Sequence, residues 1–185
     1  MEIFEAIRTR QSVAKVKPDP VPRELIERAL SAAVQAPNHY KVRPWRFVVL
    51  TGEAREKLGD VMADALKEKH PEFPPEAFEK ERDKPLRSPV LIAVGADKPS
   101  EAKVIEVENI CATAAAIENL LLAVHAEGLG AKWRTGDPAR DPKVKEFLGF
   151  DPNQYLIGFI YIGYPEFEPE PRERPSFEDR TIWME

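Results

Sequence analysis

The strongest constraint on this chain lies between Lys103 and Glu127. From Ile110 to Ala126 a helix-forming run is apolar on nearly every side, interrupted mainly by Thr113, Glu118, Asn119 and His125. A helix without a wet face must be covered all round. A chain of 185 residues can bury a sizeable core, and one domain spanning residues 1–185 is expected. One way to cover such a helix completely is to pack it against a second subunit.

The remaining periodicity supplies what surrounds that helix. Ile3, Phe4 and Ile7 share one face of a short helix ending near Thr9. "RTRQSVAKVKPDP" reads as an extended basic loop. Pro22 suits a first helical position, and Leu25, Ile26, Ala29, Leu30, Ala33 and Val34 repeat with helical period until Pro37 stops it. "WRFVVLTG" predicts a strand and turn, and Glu53 to about Lys69 a second amphipathic helix through Leu58, Val61, Met62 and Leu66. "PEFPPEAFEKERDKP" predicts a Pro-broken crossing with a short helix over the site. "PVLIAVGAD" is continuously apolar, as a strand covered on both faces would be. "GLGAKWRTG" ends the long helix at Gly128 and opens a strand; "DPKVKEFLGF" is a capped helix, and "YLIGFIYIGYP" a last strand. The tail ends with Ile182 and Trp183, so docking onto the body is expected. Four strands among five or more helices indicate an α/β sandwich around a central sheet.

Composition excludes several functions. A net charge of -5 argues against broad nucleic-acid binding, which needs surplus Lys and Arg over a wide face. No signal core and no uninterrupted apolar run of membrane length is found, so a cytoplasmic protein with no membrane partner is expected. The single cysteine, Cys111, cannot form an internal disulfide, and its Ala-rich surroundings predict a packed, inert thiol. His39, His70 and His125 are scattered, and no Cys or His cluster has metal-ligand spacing. His125, on the buried helix, reads as a satisfied core or interface residue, and Trp45 and Phe47 as core. Gly128 and Gly130 follow a helix instead of a strand, so they read as a helix cap and not as a dinucleotide fingerprint.

Three segments resist a bland reading together. "RTRQS" follows the first helix, "APNHYKVRPW" follows the second, and "WRTG" stands just beyond the long helix. The second carries His39, Tyr40, Lys41, Arg43 and Trp45 with no carboxylate among them. Cationic forks match phosphate oxygens and aromatic planes cover rings, so the set suits a flat aromatic ligand bearing phosphate.

The order "RTRQSV … AVQAPNHYKVRPWRFVVLTG … GLGAKWRTG … GFIYIGYP" resembles the FMN-dependent nitroreductases, particularly their short single-domain branch, over nearly the whole chain. The resemblance implies an α+β fold: a three-layer sandwich with a central mixed sheet flanked by helices, dimeric, with FMN sites at the subunit interface. It places Arg10, Gln11 and Ser12 on the FMN phosphate and ribityl chain. Gln35 and His39 reach the flavin from the other subunit, with Pro37 and Asn38 shaping that loop. Trp133, Arg134 and Thr135 contact the cofactor from the first subunit, and Arg174 resembles a C-terminal phosphate contact. Many such proteins carry Asn and Gln where this chain has Lys41 and Arg43, which makes the pocket here more cationic.

The activity so implied is an NAD(P)H oxidoreductase passing electrons through FMN to small-molecule acceptors, nitroaromatics or quinones, by a ping-pong mechanism. Lys41, Arg43 and Arg134 are candidates to stabilise negative charge on the ring; no side chain is assigned as general acid or base, and no metal is implied. A non-catalytic flavin-binding or sensing module is one rival. A single-strand nucleic-acid binder, stacking bases on "HYKVRPWRF", is the other.

Overall fold

The computed structural model describes residues 1–185. In chain order it contains α1 (Ile3–Thr9), α2 (Arg23–Ala33), β1 (Trp45–Leu50), α3 (Glu53–Lys69), α4 (Pro75–Arg82), β2 (Val90–Asp97), α5 (Glu106–Ala126), β3 (Gly130–Arg134), α6 (Pro142–Phe147) and β4 (Gln154–Gly163). Prolines open α4 and α6, where the missing N–H costs no helical bond, and the Asp141 carboxylate caps α6 by accepting from the Lys143 N–H.

The four strands lie in the order β1-β2-β4-β3. Every neighbouring pair is antiparallel, so the sheet is not mixed as expected. The reason lies in the connections. The α3–α4 hairpin returns the chain to the end that β1 reached, so β2 runs back along β1, with Leu50 opposite Leu91. The single helix α5 does carry β2 into a strand of the same direction, β3, but β4 inserts between the two. The one parallel pairing is an isolated bridge between Ser12 and Ala131.

Helices cover both faces, giving the α+β three-layer sandwich. On one face α2 and α5 pack over Ile92, Val94, Ile160 and Ile162; on the other, Leu58 and Met62 of α3, Val144 of α6 and Leu148 just beyond it cover Leu91, Ala93, Phe159 and Tyr161. This double cover explains the unbroken apolar run of β2, buried along its length save for Asp97. Trp45 is in the first core and Phe47 packs against it. The short helix α4 packs on α3, and its Glu81 lines a small cavity shared with Thr135.

Helix α5 is long and apolar enough to cross a bilayer, yet here it is a core element. Ala116, Ile117, Leu120 and Val124 are sealed against the sheet and α2. Its cover is incomplete: Val107, Cys111 and Glu118 line one exposed face, so Cys111 is not packed as expected. The apolar face of α1 is also open, with Phe4 77% exposed. The end of the tail does not dock as expected either: Ile182 is 88% and Trp183 80% exposed.

Leu120 is fully buried at the centre of the α5 contact. Leu120→Ala is expected to lower unfolding free energy by about 2–5 kcal/mol, checked by urea denaturation.

Candidate functional site

The "GLG" motif sets the first wall of the site. Gly128 has φ 76°, and its N–H donates to the His125 carbonyl while the Leu129 N–H donates to the Val124 carbonyl. These two bonds close α5 with a left-handed cap that disfavours a side chain. Gly130 has a different duty. A Cβ there would stand 2.8 Å from the Val13 Cβ, so its bareness lets the basic loop lie against β3. The Val13 N–H then donates to the Ala131 carbonyl at 2.9 Å, and the Lys17 N–H to the Tyr164 carbonyl at 2.8 Å.

So placed, "RTRQS" borders a cavity of about 590 Å³. Its lining includes Arg8, Thr9, Gln11, His125, Arg172 and Arg174, with Glu5 and Glu168. The Arg174 Nη2 donates to the Arg10 carbonyl at 3.2 Å and the Gln11 Nε2 to the Glu170 carbonyl at 2.7 Å, which ties the tail to the loop. The Arg10 guanidinium lies 3.2 Å from the Glu118 carboxylate of α5, itself half exposed. Ser12 is exposed on the bridge to β3.

His125 stands 2.7 Å from the Thr9 hydroxyl, which itself donates to the Glu5 carbonyl. A hydroxyl has one proton, so the His125 Nε2 must be the donor and Nδ1 carries the lone pair. Burial holds this imidazole below its ordinary pKa; Arg10 pushes the same way and Glu5 opposes. The residue is therefore satisfied, as its place on the helix predicts.

The second segment lies at the other end of α5. Within Ala36–Pro44, Tyr40, Lys41 and Arg43 have φ of 49°, 56° and 52°. Such left-handed backbone costs a non-glycine residue roughly 1–2 kcal/mol and persists only where surroundings over-determine it. Here the Asn38 Oδ1 accepts from the Arg43 N–H at 2.9 Å, closing the loop between Pro37 and Pro44. His39 faces Glu108 at 3.8 Å, and the two share a cavity of about 550 Å³ with Pro37, Asn38, Cys111 and Ala112. Gln35 is exposed, its amide reaching back to the Ser31 carbonyl.

The third segment is β3. Trp133 lies across Gly158, where a Cβ would come within 2.6 Å of the indole nitrogen. The Arg134 guanidinium sits 5.7 Å from the centre of the Tyr161 ring. Thr135 opens on a separate cavity with Ile110 and Tyr155.

The chain thus gathers Arg10, Gln11 and Arg174, with Ser12 hinged to β3, while Pro37, Asn38 and His39 form a separate group. Glu108 and Glu118, which touch His39 and Arg10, are ten residues apart on α5, about 15 Å along the helix axis. The sequence left Thr9, Arg172 and Glu108 unassigned; a carboxylate just ahead of the apolar run was the available signal for Glu108.

Fold and site define a three-layer α+β protein with a cationic cavity at one end of its central helix and a strained loop at the other. A model of the Nitroreductase family matches residues 7–164, and the chain belongs to that family. It is 30% identical over 169 residues to YdjA of Escherichia coli K12, whose name marks it as a candidate NAD(P)H nitroreductase; 91% of each chain is covered. A nitroreductase-like family protein from Bacillus cereus has a similar structure, with a TM-score of 0.88, 27% identity and coverage of 100% of this chain and 97% of that one. A candidate nitroreductase from Desulfovibrio desulfuricans, solved in complex with FMN, aligns with a TM-score of 0.74 and 26% identity over 100% of this chain and 97% of its own.

The His125 shift gives a pH dependence with a defined sign. The unfolded ring takes a proton near its ordinary value of 6.5, the folded one only at lower pH. Between those values the unfolded state binds more protons. The stability tied to neutral His125 is complete above 6.5 and is lost as pH falls through the folded value. His125→Gln keeps an N–H donor for Thr9 but cannot titrate. Thermal melts from about pH 7 to about pH 5 should fall less steeply for the variant than for the native chain.

Proposed function

We propose that the chain is an FMN-dependent NAD(P)H oxidoreductase of the cytoplasm, one domain over residues 1–185, acting as a homodimer on small-molecule acceptors. The carrying observation is the cavity bordered by "RTRQS": Arg8, Arg172 and Arg174 line it, Arg174 is bonded to the Arg10 carbonyl, and its size lies in the range of cofactor pockets. The residues fit the group. Arg10 and Ser12 supply charged and neutral donors for a phosphate, Arg174 steadies the loop that presents them, and Gln11 is at hand for the ribityl hydroxyls. Trp133, Arg134 and Thr135 flank the ring side. The FMN-bound relative supports the same cofactor.

When bound, FMN supplies the redox chemistry, taking hydride from NAD(P)H and passing electrons to a nitroaromatic or quinone in a ping-pong cycle. The chain's part is to bind, orient and offset charge. Arg134, Lys41 and Arg43 are the cations available to favour negative charge on a ring. Gln35, Pro37, Asn38, His39 and Lys41 serve the other subunit's site in this reading. What supports it is the spacing along α5: the carboxylates that meet Arg10 and His39 stand about 15 Å apart on the helix axis, which separates the phosphate anchor of a flavin ring from the same chain's His39. A second copy seated on the open face of α5 brings its own loop to that ring. The acidic balance of the chain and the carboxylate beside His39 favour a flavin over a nucleic-acid strand.

The purified protein is expected to be yellow, with one FMN per chain. Arg10→Ala is expected to lose about 1.5–3 kcal/mol of FMN affinity, the scale of a hydrogen bond to a charged group. Fluorescence titration checks this, and unchanged affinity would remove Arg10 from the site. Sedimentation at micromolar concentration is expected to give a dimer, because a lone copy would expose the α1 and α5 apolar faces together. A folded monomer would defeat the shared-site reading.

A further inference from the structure

One carboxylate near the strained loop has no evident partner. Glu108 stands in the first turn of α5 with only 24% of its side chain exposed. Its Oε1 lies 3.8 Å from His39 Nε2, too far for a hydrogen bond, and its Oε2 is sealed from solvent with no bond at all. A buried carboxylate left this way is unfavourable, and the positive end of the helix offsets only part of that. It calls for a donor on the cavity side. Lys103 is taken, paired with Glu101 at 3.1 Å and lying over the Tyr40 ring. Cys111, one turn along, is a weak donor. The imidazole of His39 is the ring at the carboxylate's edge, on a loop that Asn38 already holds in shape.

We propose that Glu108 is a positioning residue for His39: a small rotation that closes the 3.8 Å gap to a hydrogen bond fixes the plane and reach of the imidazole that the loop presents across the subunit boundary. The use made of that imidazole rests on the flavin reading above; the link between the two side chains does not. The loop's left-handed residues set where the His39 backbone stands, and Glu108 sets where its ring points. Without the carboxylate the ring, 65% exposed, is free to rotate among its rotamers.

Two measurements separate the claims. In the flavin-free protein, NMR of the histidine rings follows three imidazoles, those of His39, His70 and His125. Glu108→Gln, which keeps the side chain's volume, is expected to move the His39 ring signals and leave the other two in place. Unmoved His39 signals would overturn the proposal whether or not flavin binds. In the flavin-bound protein, Glu108→Gln is expected to weaken FMN binding about three- to tenfold, and by less than about twofold when His39 is already alanine. An equal loss in both backgrounds, or no loss with His39 present, would show that Glu108 does not act through His39. A native protein that binds no FMN defeats the flavin reading alone and leaves the NMR result to decide the positioning role.

Discussion

The seating of α5 against the sheet is the contact from which the rest of the molecule hangs. Its apolar flank alone would not orient it, since hydrophobic burial has no direction. Orientation comes from the few polar residues that interrupt the run. The buried Thr113 hydroxyl donates back to the Asn109 carbonyl, and the Asn109 amide donates to the Asp97 carbonyl at the end of β2. The Asn119 amide reaches the Ala32 carbonyl at the end of α2. Farther along, Glu118 meets Arg10 and His125 meets Thr9. Asn109, Asn119, Glu118 and His125 therefore tie α5 to β2, α2 and the end of α1 with its following loop, and a slip of the helix by one residue would unmake these four contacts. The basic loop and the strained loop are both registered to this one rod.

The elements were legible because their periods are clean: strands and helices occur where alternation and helical spacing place them, and Gly128 caps as its position after α5 predicts. Neighbour relations were less legible. A single helix between two strands does produce parallel strands, but nothing in the sequence states that β4 will enter between β2 and β3 and turn the sheet antiparallel. Exposure was the other gap. An all-round apolar helix announces that it must be covered without saying by what, so Cys111 reads as buried although it lies on the open face. Ile182 and Trp183 pose the same problem at the tail. An apolar residue specifies contact, not the identity of its partner.

The candidate site was legible where a residue type is forced by geometry and obscure where it acts by charge at a distance. Gly130 is forced, because only a missing Cβ admits Val13, and through Val13 the loop that carries Arg10 to Ser12. Pro37 and Pro44 likewise advertise a loop with fixed ends. Glu108 and Glu118 carry no such mark: in a one-dimensional reading they are breaks in an apolar run, and only the folded chain shows a cation or an imidazole opposite each.

The Arg10–Glu118 pair illustrates how such a contact can serve a site without blocking it. Glu118 is half exposed and the pair is open to solvent, so screening leaves an ion pair of this kind worth about 0–1 kcal/mol. A phosphate offers the same guanidinium a forked, charge-assisted bond worth roughly 1.5–3 kcal/mol. Exchange of the carboxylate for a phosphate is therefore favourable by roughly 0.5–3 kcal/mol, and the displaced Glu118 returns to water at little cost. Meanwhile the weak pair keeps a long, rotamer-rich side chain against α5 instead of free in solvent, which lessens the ordering that a ligand must supply. A deeply buried carboxylate in the same place would hold Arg10 too firmly to release it. The half-exposed position of Glu118, on the one face of α5 that the chain leaves open, is what keeps the balance on the side of the incoming anion.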